Sequence, residues 1–187
     1  MELYKNLLLK IKSDINESGK FGEAIAAKWL RHNNWSYIDF TITDRGDEEY
    51  LNMIDLYDQK GKKPDFLGQL DGIDGFVLWD AKFHRIYEDH FKLSTKEINK
   101  YSELLSYFNK TFQGVSFYII FMFFPKEENG TTMYLVPLDD FLGNGTDSKF
   151  GKDPAVQVRV EKENCFNTSE FSEEVVGEFL RIRNRSN

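Results

Sequence analysis

Apolar residues recur at helical spacing near the start of the chain. Leu3, Leu7, Leu8 and Ile11 predict a short amphipathic helix over Leu3 to Ile15. Ala24, Ala26, Ala27, Trp29 and Leu30 predict a second helix over Phe21 to Arg31, ended by His32-Asn33-Asn34. Alternation then takes over, and Trp35 to Phe40 reads as a strand. Tyr50, Leu51, Ile54, Leu56 and Tyr57 predict a short helix inside the acidic stretch Thr43 to Lys63. The runs Pro64 to Leu70 and Phe76 to Phe83 flank Asp71-Gly-Ile-Asp-Gly75, whose glycines and aspartates suit a turn, so the pair reads as a β-hairpin.

The downstream pattern is equally regular. Ile98, Tyr101, Leu104, Leu105 and Phe108 predict a helix over Ser94 to Lys110, with Ser94 or Thr95 as N-cap and Glu97 in the first turn. Val115 to Phe124 is a short, nearly unbroken apolar run, which predicts a strand buried on both faces. Met133 to Val136 and Ala155 to Val160 read as further strands, and Phe171 to Arg185 as a closing helix. No repeat or linker interrupts this order. The expectation is one α/β domain over residues 1–187, a mixed β-sheet flanked by helices.

Composition narrows the function classes. The 187 residues are 41% hydrophobic and 16% aromatic, enough to build a core and unlike a disordered chain. A single cysteine, Cys165, excludes an internal disulfide and a multi-cysteine metal knuckle, and predicts a reducing, cytoplasmic setting. No apolar run approaches the roughly 20 residues of a spanning helix, so no membrane role is expected. The net charge of −7 argues against wholesale wrapping of nucleic acid. That charge is uneven, however. Residues 1–59 carry 7 basic and 11 acidic side chains, residues 60–110 carry 9 and 8, and residues 111–187 carry 8 and 12. A polyanion would meet the middle third.

The middle third also holds the residues suited to chemistry. Alternation along Phe76 to Phe83 puts Asp80 and Lys82 on the face of Phe76 and Leu78, opposite Val77, Trp79, Ala81 and Phe83. Burying either charge is costly unless it is paired or metal-bound. A turn centred between Gly72 and Ile73 would set Asp65 across the hairpin from Asp80, and a divalent cation is one remedy for facing carboxylates. A third acid, Glu23, follows the core-facing stripe of the second helix, with Ala26, Ala27 and Leu30 three, four and seven positions on. Each residue also has an ordinary use. Asp65 could brace the turn, Asp80 and Lys82 could form a solvent-facing edge pair, and Glu23 could favour the first turn of its helix.

Pro64-Asp65, fourteen residues, then Asp80-Ala81-Lys82 resembles the signature of PD-(D/E)xK nucleases, the restriction-endonuclease-like superfamily. Gly22-Glu23-Ala24-Ile25-Ala26 is similar to the Gly-Glu-x-x-Ala helix of its resolvase-like members. The resemblance spans about Gly22 to Phe124 and implies a core order αβββαβ with extra elements at both ends. It further implies a metal-dependent DNA endonuclease. Asp65, Asp80 and the Ala81 carbonyl would hold Mg²⁺ or Mn²⁺, Lys82 would position or help deprotonate the attacking water, and Glu23 would orient Lys82 or complete a second metal site. Glu97 and Tyr101 resemble the accessory Gln-x-x-x-Tyr element of RecB-like nucleases, with Glu in place of Gln.

Lys92, Lys96 and Lys100 recur every fourth residue, and with Arg85, Lys62 and Lys63 they could contact DNA phosphates. A solvated face accounts for the same pattern. His84 and His90 span no clear helix and have no cysteine partner, so a structural role is the favoured reading for both. A homodimer would suit cleavage of two strands. The competing reading is a non-catalytic relative of the same fold, an acidic module that binds protein.

Overall fold

The computed structural model describes residues 2–33, 37–39, 63–161 and 165–185. The short helix expected within Thr43 to Lys63, the ends of the strand Trp35 to Phe40, and Lys62 lie outside the described residues. Helix α1 (Glu2–Ser13) stops where the Asp14 carboxylate accepts hydrogen bonds from Asn16 N at 2.9 Å and Glu17 N at 3.1 Å. That cap opens α2 (Ile15–His32), which starts well before Phe21 because capping rather than apolar spacing sets its first turn.

Three antiparallel strands follow, β1 (Tyr37–Asp39), β2 (Phe66–Gly68) and β3 (Phe76–His84). The chain then crosses over through β4 (His90–Ser94) and α3 (Thr95–Thr111) to β5 (Phe117–Pro125), which lies parallel to β3 along its whole length. Ser94 caps α3 as its sequence predicts, its hydroxyl accepting from Glu97 N at 3.1 Å. Beyond a 3₁₀ turn at Lys126–Glu128 come β6 (Thr132–Pro137), α4 (Leu138–Gly143), β7 (Thr146–Phe150), β8 (Asp153–Arg159), β9 (Cys165–Asn167) and α5 (Ser169–Arg185). The result is α/β, with a mixed six-stranded sheet ordered β1-β2-β3-β5-β6-β9 and a second sheet ordered β4-β8-β7.

Both faces of the larger sheet are covered, which explains the character of its two central strands. From β5, Ile120, Met122 and Phe124 enter one core with Ile11, Phe21, Ile25 and Val175 of the helices, while Ile119, Phe121 and Phe123 enter a second core with Tyr101, Leu104 and Phe141. The alternation in β3 divides as expected. Val77, Trp79, Ala81 and Phe83 join the first core and Leu78 the second.

Four elements carry too weak a pattern to be anticipated. Strand β4 has only Phe91 and Leu93 pointing inward, α4 is six residues long, and β7 and β9 expose most of their side chains. Strands β7 and β9 exist because β8 and β6 offer free ladder edges, and that pairing is independent of side-chain hydrophobicity.

Gly75 is where the chain enters β3. Its φ is +139°, and an added Cβ would stand 2.3 Å from the Ser116 carbonyl oxygen, which accepts a hydrogen bond from Phe76 N. Gly75→Ala should therefore destabilise the fold by about 1–3 kcal/mol in urea titration. Gly143→Ala, where nothing lies within 4 Å, should change stability little.

Candidate active site

The ladder between β2 and β3 sets Phe66 opposite Trp79, Leu67 opposite Leu78 and Gly68 opposite Val77. The ladder ends at the Phe66–Trp79 pair; Asp65, one residue beyond it, donates its N–H to Trp79 O at 2.9 Å and lies close enough to Asp80 for the two carboxylates to repel. This is the register that a turn centred between Gly72 and Ile73 requires. Asp65 is partly exposed, and its Oδ2 accepts from Ala81 N at 2.7 Å, so it does brace the neighbouring strand.

Asp80 and Lys82 are not an edge pair. Beyond Trp79 strand β3 remains paired with β5, helix α3 reaches the face that carries the two residues, and they are only 2% and 7% exposed. The Tyr101 hydroxyl donates to Asp80 Oδ1, and the Lys82 ammonium pairs with Asp80 Oδ2. Lys82 Nζ also lies 2.9 Å from Glu97 Oε1 and 5.9 Å from the centre of the Tyr101 ring. Helix α3 thus presents Glu97 and Tyr101, one turn apart, to both buried charges. Among the described residues the ion pairs of Lys82 are with Asp80 and Glu97, so Glu97 fills the orienting place expected of Glu23.

Glu23 sits in the middle of α2 rather than in its first turn. It is brought to the site by a close approach of that helix to β3. A Cβ on Gly22 would meet Phe83 Cβ at 3.2 Å and Phe83 N at 3.4 Å, so the missing side chain lets the backbones come together. Glu23, Asp65, Asp80, Ala81 and Lys82 line one cavity of about 470 Å³, together with Ser18, Gly19, Phe83, His84 and Lys126.

The electrostatics follow from this crowding. Burial, then the charge of Asp80 and more weakly that of Glu23, push the Asp65 carboxyl well above the usual range, against the opposing pull of Lys82 and the Ala81 N–H. Burial works against the Lys82 ammonium, yet Asp80, Glu97 and Asp65 outweigh it and hold Lys82 protonated far above neutral pH. That suits an electrostatic role better than proton abstraction. Burial, followed by Asp80, Asp65 and Glu97, keeps the Tyr101 hydroxyl protonated, as its donation to Asp80 requires. Burial and the nearby Lys82 and Lys126 charges push His84 down to about 4, so it lines the cavity as a neutral ring at pH 7.

Among the described residues no three His, Cys, Asp or Glu side chains converge as a metal cage. The donor set of two neighbouring carboxylates and a backbone carbonyl nonetheless matches Mg²⁺, which takes one or two carboxylates and keeps several waters. A divalent cation would also relieve the repulsion that raises Asp65.

The predicted phosphate contacts are scattered. Lys63 is partly buried beside Pro64, and Arg85 is exposed just past β3. Lys92 lies on β4 with its ammonium 4.9 Å over the Tyr87 ring, while Lys96 and Lys100 stand on α3. Sequence reasoning passed over Lys126 and gave little weight to His84. A signal existed for both: they stand at or just past the carboxyl ends of the parallel strands β3 and β5, where open α/β sheets bind ligands. Compared with known proteins, the chain matches no protein-family model and no curated protein sequence.

Two measurements test this geometry. Because the folded state raises the Asp65 pKa, stability is unaffected below the unfolded carboxylate range near 4 and declines as pH rises through the gap to the folded value. Asp65→Asn should therefore stabilise the metal-free protein at pH 7.5 and lose that advantage at pH 3.5, read by urea titration. Tyr101→Phe leaves a buried Asp80 oxygen without its donor, and should cost about 1–3 kcal/mol in the same assay.

Proposed function

We propose that this chain is a metal-dependent DNA endonuclease of the PD-(D/E)xK kind. The observation that carries the reading is the gathering of Asp65, Asp80 and Lys82 around one cavity where the β2–β3 ladder ends. Glu23 lines the same cavity. The succession α2, β1, β2, β3, α3, β5, with β5 parallel to β3, supports a restriction-endonuclease-like core, into which β4 is an added strand.

In this reading Asp65, Asp80 and the Ala81 carbonyl hold Mg²⁺ or Mn²⁺, and a DNA strand passes over the cavity. The chemistry such an ion supplies is polarisation of a phosphoryl oxygen and acidification of water. Lys82 offers a fixed positive charge to the non-bridging oxygens, which gain charge in the transition state. Glu97 and Tyr101 keep Lys82 and Asp80 from swinging away, so the charge is in place before the reaction begins. Because both positioning residues come from α3, the crossover helix as well as the hairpin belongs to the catalytic apparatus.

The test is cleavage of supercoiled plasmid and of a four-way junction with Mg²⁺ or Mn²⁺. The native protein should nick or cut at least one of them, and Asp80→Ala and Lys82→Ala should each lose about 10²-fold or more. Cleavage that persists in both variants would refute the assignment of the site. No cleavage of either DNA, with no thermal stabilisation by either metal, would favour the non-catalytic, protein-binding relative.

A further inference from the structure

The cavity that holds the carboxylates is also lined by Lys126. Lys126 follows directly on Pro125, which stands opposite His84 in the parallel ladder, so its side chain rises beside the end of β3. Its ammonium donates to Lys12 O at 3.2 Å and to Ser18 Oγ at 3.0 Å. The Ser18 hydroxyl spends its own proton on Ile11 O at 2.6 Å, which leaves only its lone pairs for Lys126. Two of the three ammonium protons are thus anchored to the junction of α1 and α2, and the ammonium also lies 5.7 Å from the centre of the Phe83 ring.

Charge balance separates Lys126 from Lys82. Lys82 is neutralised by two carboxylates, whereas among the described residues neither Lys126 nor Arg85 forms an ion pair. Burial, and after it the charge of Arg85, lower the Lys126 pKa against the opposing pull of Glu127, and an anion placed between the two cations would reverse the shift. The cavity therefore holds both signs of charge, with Glu23, Asp65 and Asp80 as its acids and Lys126 as a lining cation without an ion pair among the described residues; Arg85 is near enough to repel Lys126 but does not line the cavity. Lys92, Lys96 and Lys100 are not among its lining residues.

We propose that Lys126, assisted by Arg85, grips one backbone phosphate of the DNA strand next to the phosphate at the carboxylate centre. The inference rests on the nuclease reading for the nature of its ligand. A strand offers a negative charge about every 3.4 Å of helical rise, so a phosphate neighbouring the scissile one passes close to the cavity mouth. A cation anchored by two hydrogen bonds fixes that phosphate in position, and with it the register of the strand over the catalytic carboxylates.

The experiment is a charge-neutralisation scan in EDTA. Short DNA duplexes and single strands, each with one methylphosphonate at successive positions, are titrated by fluorescence anisotropy against the native protein, Lys126→Gln and Arg85→Ala. Glutamine keeps an N–H for Lys12 O and Ser18 Oγ, and unchanged thermal unfolding verifies the fold. One position should weaken native binding about tenfold, the worth of a charge-assisted hydrogen bond. At that position Lys126→Gln should show no further loss, Arg85→Ala a smaller one, and the slope of log K against log salt should fall by about 0.7–0.9 for Lys126→Gln. Identical scans for native protein and Lys126→Gln, or no DNA binding by the native protein, would overturn the proposal. Cleavage with identical scans would remove the grip and leave the nuclease reading standing. A Lys126-dependent position without any cleavage would retain the grip and remove the catalytic reading.

Discussion

Asp80 and Lys82 lie two residues apart on one face of β3, in a stretch paired with β5, and they are almost cut off from water. Leaving one member of such a pair alone costs about 3–5 kcal/mol, so the surroundings must satisfy both. Helix α3 does this with Tyr101 for the carboxylate and Glu97 for the ammonium. Those contacts fix the rotation of α3, and the same face carries Ile98 and Leu104 into the second core beside Phe121. The polar pair and the apolar packing therefore specify a single placement of the crossover helix.

Asp65 adds a cost that the fold does not recover by itself. It stands near Asp80 just past the end of the ladder, accepts one backbone N–H, and is pushed toward its neutral form by burial and by like charge. Such arrangements are maintained at functional sites because stability is exchanged there for a prepared chemistry. Like charge crowds Asp65 and Asp80, while Lys126 lines the same cavity without an ion pair among the described residues. A ligand with a cation-bridged phosphate at one end and a second phosphate at the other answers both.

Much of this arrangement was legible in the residues. The alternation in β3, the turn residues Asp71 to Gly75 and the fourteen-residue spacing are local features, and together they define the β2–β3 register that brings Asp65 near Asp80, because antiparallel register follows from the turn. The Gly22-Glu23 pair marked the helix that approaches β3 closely. The partner of Lys82 was not legible, since Glu97 and Glu23 are both acids at helical positions and only the docking of α3 separates them. Strands β7 and β9 were hidden for a different reason: they are held by ladder bonds to neighbours distant in sequence and expose most of their side chains.

The sequence by itself determined the hairpin, the central apolar strand, the capped helix α3 and the face shared by Asp80 and Lys82. Each depends on side-chain periodicity or on turn and cap chemistry within a few residues. Tertiary structure alone decided that the pair is buried, that Glu97 rather than Glu23 holds Lys82, and that Lys126 comes to the cavity beside His84. Those outcomes depend on the parallel alignment of β3 with β5 and on the packing of α2 and α3 against opposite faces of the sheet. Contacts between segments far apart in the chain arise from packing and ladder pairing, which leave no periodic trace in either segment.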